Sequence, residues 1–434
     1  MKNLIPNEGE KEEMLHAMGL KGIEELFADV PESMRSKLSI ESAKNESEVL
    51  KEISSLAEKN KKYLSFLGGG IAKHYVPSAL NYLISRSEFL TAYTPYQPEI
   101  SQGSLQAMFE YQSYVSELYN MEVVNASVYD MATALGESCL MCYRIRGGKK
   151  FLIPEAISQA KKAVLRNYAK GFGVSIEEFA YNEKGMVDLE DLKKRIDNET
   201  VGVYVETPNM FGVLEEEIAA VRELAPLLVV GANPLALPII RSPGDYNADI
   251  AIGGLTFDLS FGGPLLGVFA CRKEYMRQMP GRIIGLTKDK DGKDAFCMIL
   301  QTREQHIRRA RATSNICTNE GLLAIAGAIY FSLLGKNGMR SIAIKNIKNA
   351  RALSKRVKEL FDVPFYGSTF FSEFVFEYER MEKLRDGASE HDVEFGPLLT
   401  GKNALICTTE LHNKEEHDAL INALREAKDK NENV

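Results

Sequence analysis

The chain has 434 residues, 45% of them hydrophobic and 26% charged, with a formal net charge of −7. That length exceeds one small core and suits two or three domains of roughly 100 to 200 residues each, and the negative charge argues against generic attraction to nucleic acid or anionic membrane. The opening MKNLIPNEGEKEEML lacks the apolar core of a secretory signal, and no window supplies roughly 18 uncharged apolar residues, so a cytoplasmic protein is expected.

Residues 8 to 28 place Met14, Leu15, Met18, Ile23, Leu26 and Phe27 at helical spacing, broken at Gly19 and Gly22, and predict a pair of short helices. A second amphipathic helix is expected over Ser47 to Asn60. Gly68, Gly69 and Gly70 then interrupt an apolar stretch and mark a flexible or closely packed turn. In TAYTPYQPEISQGSLQ, two prolines hold Thr94 and Gln97 extended, and Gly103 and Ser104 introduce a helix carrying Leu105, Met108, Phe109, Val115 and Leu118. Tyr93, Tyr96, Gln97, Glu99, Ser101 and Gln102 thus gather before a helix N-terminus, a position that favours anions. A solvated connector whose tyrosines cover the core fits the same residues.

From VVNASVY onward strands and helices alternate: Ala132 to Arg146 helical, KKFLIP extended, Ala160 to Ala169 helical, VSIEEF extended, Asp188 to Ile196 helical. VGVYVE, a helix over Leu214 to Leu224 and LLVVGA continue the pattern, which predicts right-handed crossovers and a mainly parallel sheet with helices on both faces. Ligands of such sheets lie at the carboxyl ends of the strands, where YDMATALGE, ETPNMFG and VGANPLAL fall. Asp249 to Ile252 and Leu265 to Ala270 read as two strands joined by a loop containing Gly253, Gly254, Gly262, Gly263 and Pro264. That stretch holds no lysine, histidine or cysteine; its polar side chains are Asp249, Thr256, Asp258 and Ser260.

After MPGRIIG and the charged turn KDKDGKD, the segment QTREQHIRRARATSNICTNEGLLAIAGAIYFSLLG reads as helical, basic first and apolar later. Arg303, Arg308, Arg309 and Arg311, with His306, either face phosphate or carboxylate groups or form a solvated face paired with acids. From about Lys336 a long charged helix, FFSEFVFEY, ALICTTEL and a final helix predict a small α+β domain. The expected organisation is a helical segment over 1–90, a large α/β domain over 91–335 and the small domain over 336–434.

The six histidines are dispersed, and Cys139 and Cys142, although C-x-x-C, lie on a helical pattern without a second ligand pair, so no metal site is expected and the thiols read as core. No nucleophile elbow, dinucleotide fingerprint or P-loop is present.

TAYTPYQPEISQGSLQ, LSFGGPLLGVFACRKEYMRQMPGRIIG and QTREQHIRRARATSNICTN together resemble the N-terminal half of the glycine cleavage system P-protein, glycine decarboxylase. The resemblance implies the fold type I architecture of pyridoxal-phosphate (PLP) transferases, and a chain that stands as the first of two separate subunits. It also implies that the second, homologous subunit carries the cofactor's lysine, in an α2β2 assembly acting on glycine with the lipoyl group of H-protein as co-substrate. Thr256, Phe257 and Asp258 stand where that lysine is needed, Asn233 where active relatives place an aspartate, and Asp130 at the counterpart of the phosphate turn. No cofactor-binding residue is therefore expected here. The resemblance further implies that Tyr93, Thr94, Tyr96, Gln97 and Glu99 contribute across the interface to the partner's site, and that Ser101, Gln102, Arg308, Thr313, Ser314 and Asn315 face substrate or partner. A purely structural scaffold, or a self-sufficient PLP enzyme whose lysine lies elsewhere, as in GLTKDK, are the other readings.

Overall fold

In the computed structural model, residues 8–36, 39–260, 263–316 and 319–432 are described. The chain divides at Lys62/Tyr63 into two compact units. In the first, a short helix spans Lys11–Ala17 and the Ile23–Phe27 stretch is a tight 3-10 turn where a second helix was expected. The Glu46–Ala57 helix opens on a capping box, with Glu48 N–H donating to Asn45 Oδ1 and Asn45 N–H to Glu48 Oε2, both at 3.0 Å.

Strands of the second unit, in chain order, are β1 (Leu64–Leu67), β2 (Val123–Val124), β3 (Lys150–Pro154), β4 (Ser175–Phe179) and β5 (Thr200–Thr207). They continue as β6 (Leu228–Ala232), β7 (Ile250–Ser260), β8 (Gly263–Cys271), β9 (Ile283–Lys288), β10 (Asp294–Ile299), β11 (Glu373–Glu377), β12 (Val393–Gly396) and β13 (Asn403–Cys407). Seven form one sheet in the order β2-β8-β7-β6-β5-β3-β4, parallel from β4 through β7 and antiparallel at β8 and β2. Every residue of β3, β5 and β6 is buried, as a sheet covered on both faces requires. The strand and helix alternation of the sequence thus yields the expected mainly parallel α/β sheet.

Three expectations change. Gly253 and Gly254 lie inside β7, not in a loop, because β7 and β8 pair continuously from Ile250–Cys271 to Thr256–Leu265; Phe261 and Gly262 fall outside the described residues. The expected helix over 301–335 begins only at Gly321. Before it lie one-turn elements at Gln301–Arg303, Gln305–Arg308 and Arg309–Arg311, interrupted by positive φ at Leu300 and Arg309. Buried Arg303 donates to the carbonyls of Met279, Gly281 and Leu300, drawing this segment onto the turn that precedes β9. Finally, Leu64–Leu67, read as part of an N-terminal helical segment, is a strand pairing in parallel with β12. Its partner lies more than 300 residues away, beyond the reach of local pattern.

The last part of the chain pairs β11 with β13 against the Met381–Ser389 and Lys414–Glu432 helices, an α+β arrangement whose apolar core around Phe374, Phe376, Phe395, Leu405 and Leu424 also takes in Phe66, Phe211 and Val213. The Gly321–Lys358 helix leads into it and bends at Gly335, whose φ is +57°. One 18-residue window of this helix, of mean hydropathy 1.3, is long and apolar enough by composition alone to cross a membrane; half of that window is buried in the protein.

Candidate functional site

The two PYQ-side prolines and the helix that follows fix the polar-aromatic segment. Tyr96 N–H donates to Thr94 O at 2.8 Å, and Ile100 and Ser101 N–H both turn back to Gln97 O. Gln102, first residue of the Gln102–Tyr119 helix, clasps Phe296 of β10 by both backbone groups, at 2.9 and 2.8 Å. The segment is therefore riveted to the β9–β10 hairpin while Tyr93, Tyr96, Gln97 and Glu99 stay exposed.

Beneath it sits Arg282, buried in the turn that enters β9. Its guanidinium donates to Tyr96 Oη at 3.2 Å, Thr94 Oγ1 at 3.4 Å and Asn319 Oδ1 at 3.0 Å, and lies 5.4 Å from the Tyr96 ring centroid. Glu304 Oε2 is 3.9 Å from Arg282 Nε and 3.6 Å from His306 Nδ1, and the His306 ring meets Tyr96 edge-on at 6.0 Å. Two segments that the sequence singled out separately, 93–102 and 303–311, meet around this one cation.

The remaining candidates separate. Arg308 and Asn315 are exposed, and Arg308, Arg309 and Arg311 form no ion pair among the described residues. Thr313 N–H donates to Arg303 O at 3.0 Å. Ser314 points inward, its hydroxyl donating to Glu137 Oε1 at 2.6 Å, and burial pushes the Glu137 carboxyl up, opposed by that bond and by Arg144. Ser101 heads the Gln102–Tyr119 helix without a side-chain cap. Arg282, Glu304, Asn319 and Glu137 were missed; an arginine at the mouth of an apolar strand, as in MPGRIIG, is the one local hint that a buried partner must exist.

A family model described as Glycine cleavage system P-protein matches residues 1–424. The chain belongs to that family. It is 48% identical over 98% of its length to "Probable glycine dehydrogenase (decarboxylating) subunit 1" of Thermococcus onnurineus, covering 99% of that protein, and 47% identical to the protein of the same name from Pyrococcus abyssi. Its structure is similar to a glycine decarboxylase (P-protein) of the glycine cleavage system in inhibitor-bound form, with TM-score 0.89, 38% identity, and 97% and 98% of the two chains covered. A Lactobacillus brevis glutamate decarboxylase, 12% identical with TM-score 0.67, shares the fold.

Ligands of parallel α/β sheets lie at the carboxyl ends of the strands, and near the ends of β6 and β7 this chain packs its own tyrosines against the backbone. A Cβ on Gly253 would lie 1.9 Å from Tyr119 Oη, which donates to Ala232 O at 2.9 Å, and a Cβ on Gly231 would lie 2.2 Å from Tyr204 Oη. Tyr204 donates to Glu206 Oε2 at 2.6 Å, and Glu206 pairs with Lys161 at 2.5 Å. Asn233 Oδ1 accepts Leu235 N–H at 2.9 Å, closing its own turn. Asp130 caps the Met131–Arg146 helix through Thr133 N–H at 2.7 Å, so a carboxylate already occupies the helix N-terminus a phosphate would need. Phe257 is buried edge-on against Tyr330. Both lysines of GLTKDK, Lys288 and Lys290, are exposed on the β9–β10 hairpin, and Lys288 is paired with Asp294. These residues do not fit PLP.

Proposed function

We propose that this P-protein chain is the subunit of a two-subunit glycine decarboxylase that bears no PLP, and that it completes the site of a homologous catalytic subunit in a cytoplasmic assembly of two copies of each. The cofactor in that partner supplies the electron sink for loss of CO₂ from glycine, and the aminomethyl group passes to the lipoyl arm of H-protein. The observation that carries this reading is the contrast within one chain: Tyr119, Tyr204 and Asp130 fill the strand ends, while the hydrogen-bonded turn over Tyr93–Glu99 leaves Tyr93, Tyr96, Gln97 and Glu99 exposed.

In this reading the chain's own work is positioning and exclusion of water. Thr94 and Tyr96 present hydroxyls, and Glu99 presents a carboxylate that makes no hydrogen bond or ion pair among the described residues, suited to an ammonium group. Gln97 lies between them on the same exposed turn. The test is co-expression with the second subunit, followed by glycine–bicarbonate exchange with lipoylated H-protein. The pair exchanges and the isolated chain is silent; exchange by the isolated chain would overturn the proposal.

A further inference from the structure

Building on that reading, we infer that Arg282 is the positioning residue that turns Thr94 and Tyr96 into outward-facing proton donors for the carboxylate of glycine. A guanidinium has donors and no acceptor. The oxygens of Tyr96 and Thr94, at 3.2 and 3.4 Å from its Nη atoms, can only accept from it. Each hydroxyl proton is then directed elsewhere, and no other described residue takes either one. Tyr96 is 48% exposed while Arg282 is 5% exposed, so the charge stays inside and its effect emerges through two O–H groups.

The base of the arrangement is fixed. Asn319 accepts from Arg282 and donates through Nδ2 to Ala126 O and Ser127 Oγ, both at 3.2 Å, tying the guanidinium to the irregular stretch that follows β2. Glu304 holds its other side, and His306 stands against the edge of the Tyr96 ring. Two neutral donors backed by a buried cation match the two oxygens of a carboxylate and hold it without a surface charge that water or salt would screen. Because the carboxylate is bound before it leaves, the contribution falls on glycine affinity.

The experiment measures glycine KM and kcat for the assembled pair at saturating partner, with Arg282→Ala, Arg282→Lys and the double variant Thr94→Val/Tyr96→Phe, which keeps the arginine. Arg282→Ala raises glycine KM roughly tenfold to hundredfold, the loss expected when hydrogen bonds to a charged group vanish. Added guanidinium ion restores part of it, and Arg282→Lys, a point charge without the fork, lies between. Acetate competes with glycine more weakly in both the alanine and the double variant, and combining them adds little. Assembly is followed by light scattering. Normal glycine KM and acetate competition in the double variant would overturn the inference while leaving the two-subunit reading intact, as would an Arg282→Ala pair that assembles and binds glycine within twofold of wild type. Absence of exchange in the wild-type pair would remove both.

Discussion

The Tyr96 hydroxyl and the Glu99 carboxylate stand on one exposed turn with opposite electrostatic characters, one backed by the buried Arg282 cation and the other facing solvent without a partner among the described residues. Losing one hydrogen bond to a charged group costs about 1.5 to 3 kcal/mol, a roughly tenfold to hundredfold rate loss. Tyr96→Phe and Glu99→Gln therefore lower kcat/KM of the assembled enzyme by that factor without weakening assembly. A segment that only packs the interface gives the reverse: weaker assembly and normal rates at saturating partner. A second residue-scale consequence concerns His417, buried with its Nε2 2.8 Å from Thr408 Oγ1; burial, and then the charge of His412, push it down to about 4 from 6.5. Its neutral form is the one that folds. The stability it contributes is complete above pH 6.5 and is lost as pH falls toward about 4, because the unfolded chain takes up the proton first. His417→Gln should flatten the decline of the melting temperature between pH 6.5 and 4 relative to wild type; an unchanged slope would count against the assignment.

Among the elements, β7 illustrates how a strand can be shaped by a side chain from a distant helix. Gly253 has Tyr119 Oη where its Cβ would be, 1.9 Å away, and Ala232 O at 2.7 Å. Gly253→Ala must push the Tyr119 ring off Ala232 O, and overpacking of this kind costs about 1 to 3 kcal/mol. Tyr119→Phe removes the closest of these contacts, leaving Ala232 O, and also removes the donor to Ala232 O, so the double variant is less destabilised than the sum of the singles. Chemical denaturation of the four proteins measures this directly; additive losses would mean that the two residues do not share the space.

For the whole molecule, closure of the strand ends leads to a simple expectation. Purified chain incubated with PLP, then passed through gel filtration, retains no visible-range absorbance that depends on a lysine of this chain. Retained absorbance abolished by one lysine substitution would contradict the reading of Tyr119, Tyr204 and Asp130 as occupants of the site. Mixed with the second subunit, the chain forms a stable complex, since sites shared between obligate subunits commonly bury more than about 2,000 Å². Light scattering of an equimolar micromolar mixture that reports only separate species would exclude it.

The amino-acid sequence by itself determined the mainly parallel α/β class, because residue periodicity is a local property. It also marked Tyr93–Glu99 and the arginine run as unusual. Tertiary structure decided what these segments are for each other. Arg282 meets Thr94, Tyr96 and Asn319 across 188, 186 and 37 residues, and no pattern in a window of sequence encodes such meetings. Gly253 and Gly254, read as part of a loop, are strand residues because β7 pairs with β8 through them, a pairing settled between separate stretches of chain. β1 belongs with β12, and Ser314 turns inward, only because strand pairing and burial of Glu137 are settled between distant parts of the chain.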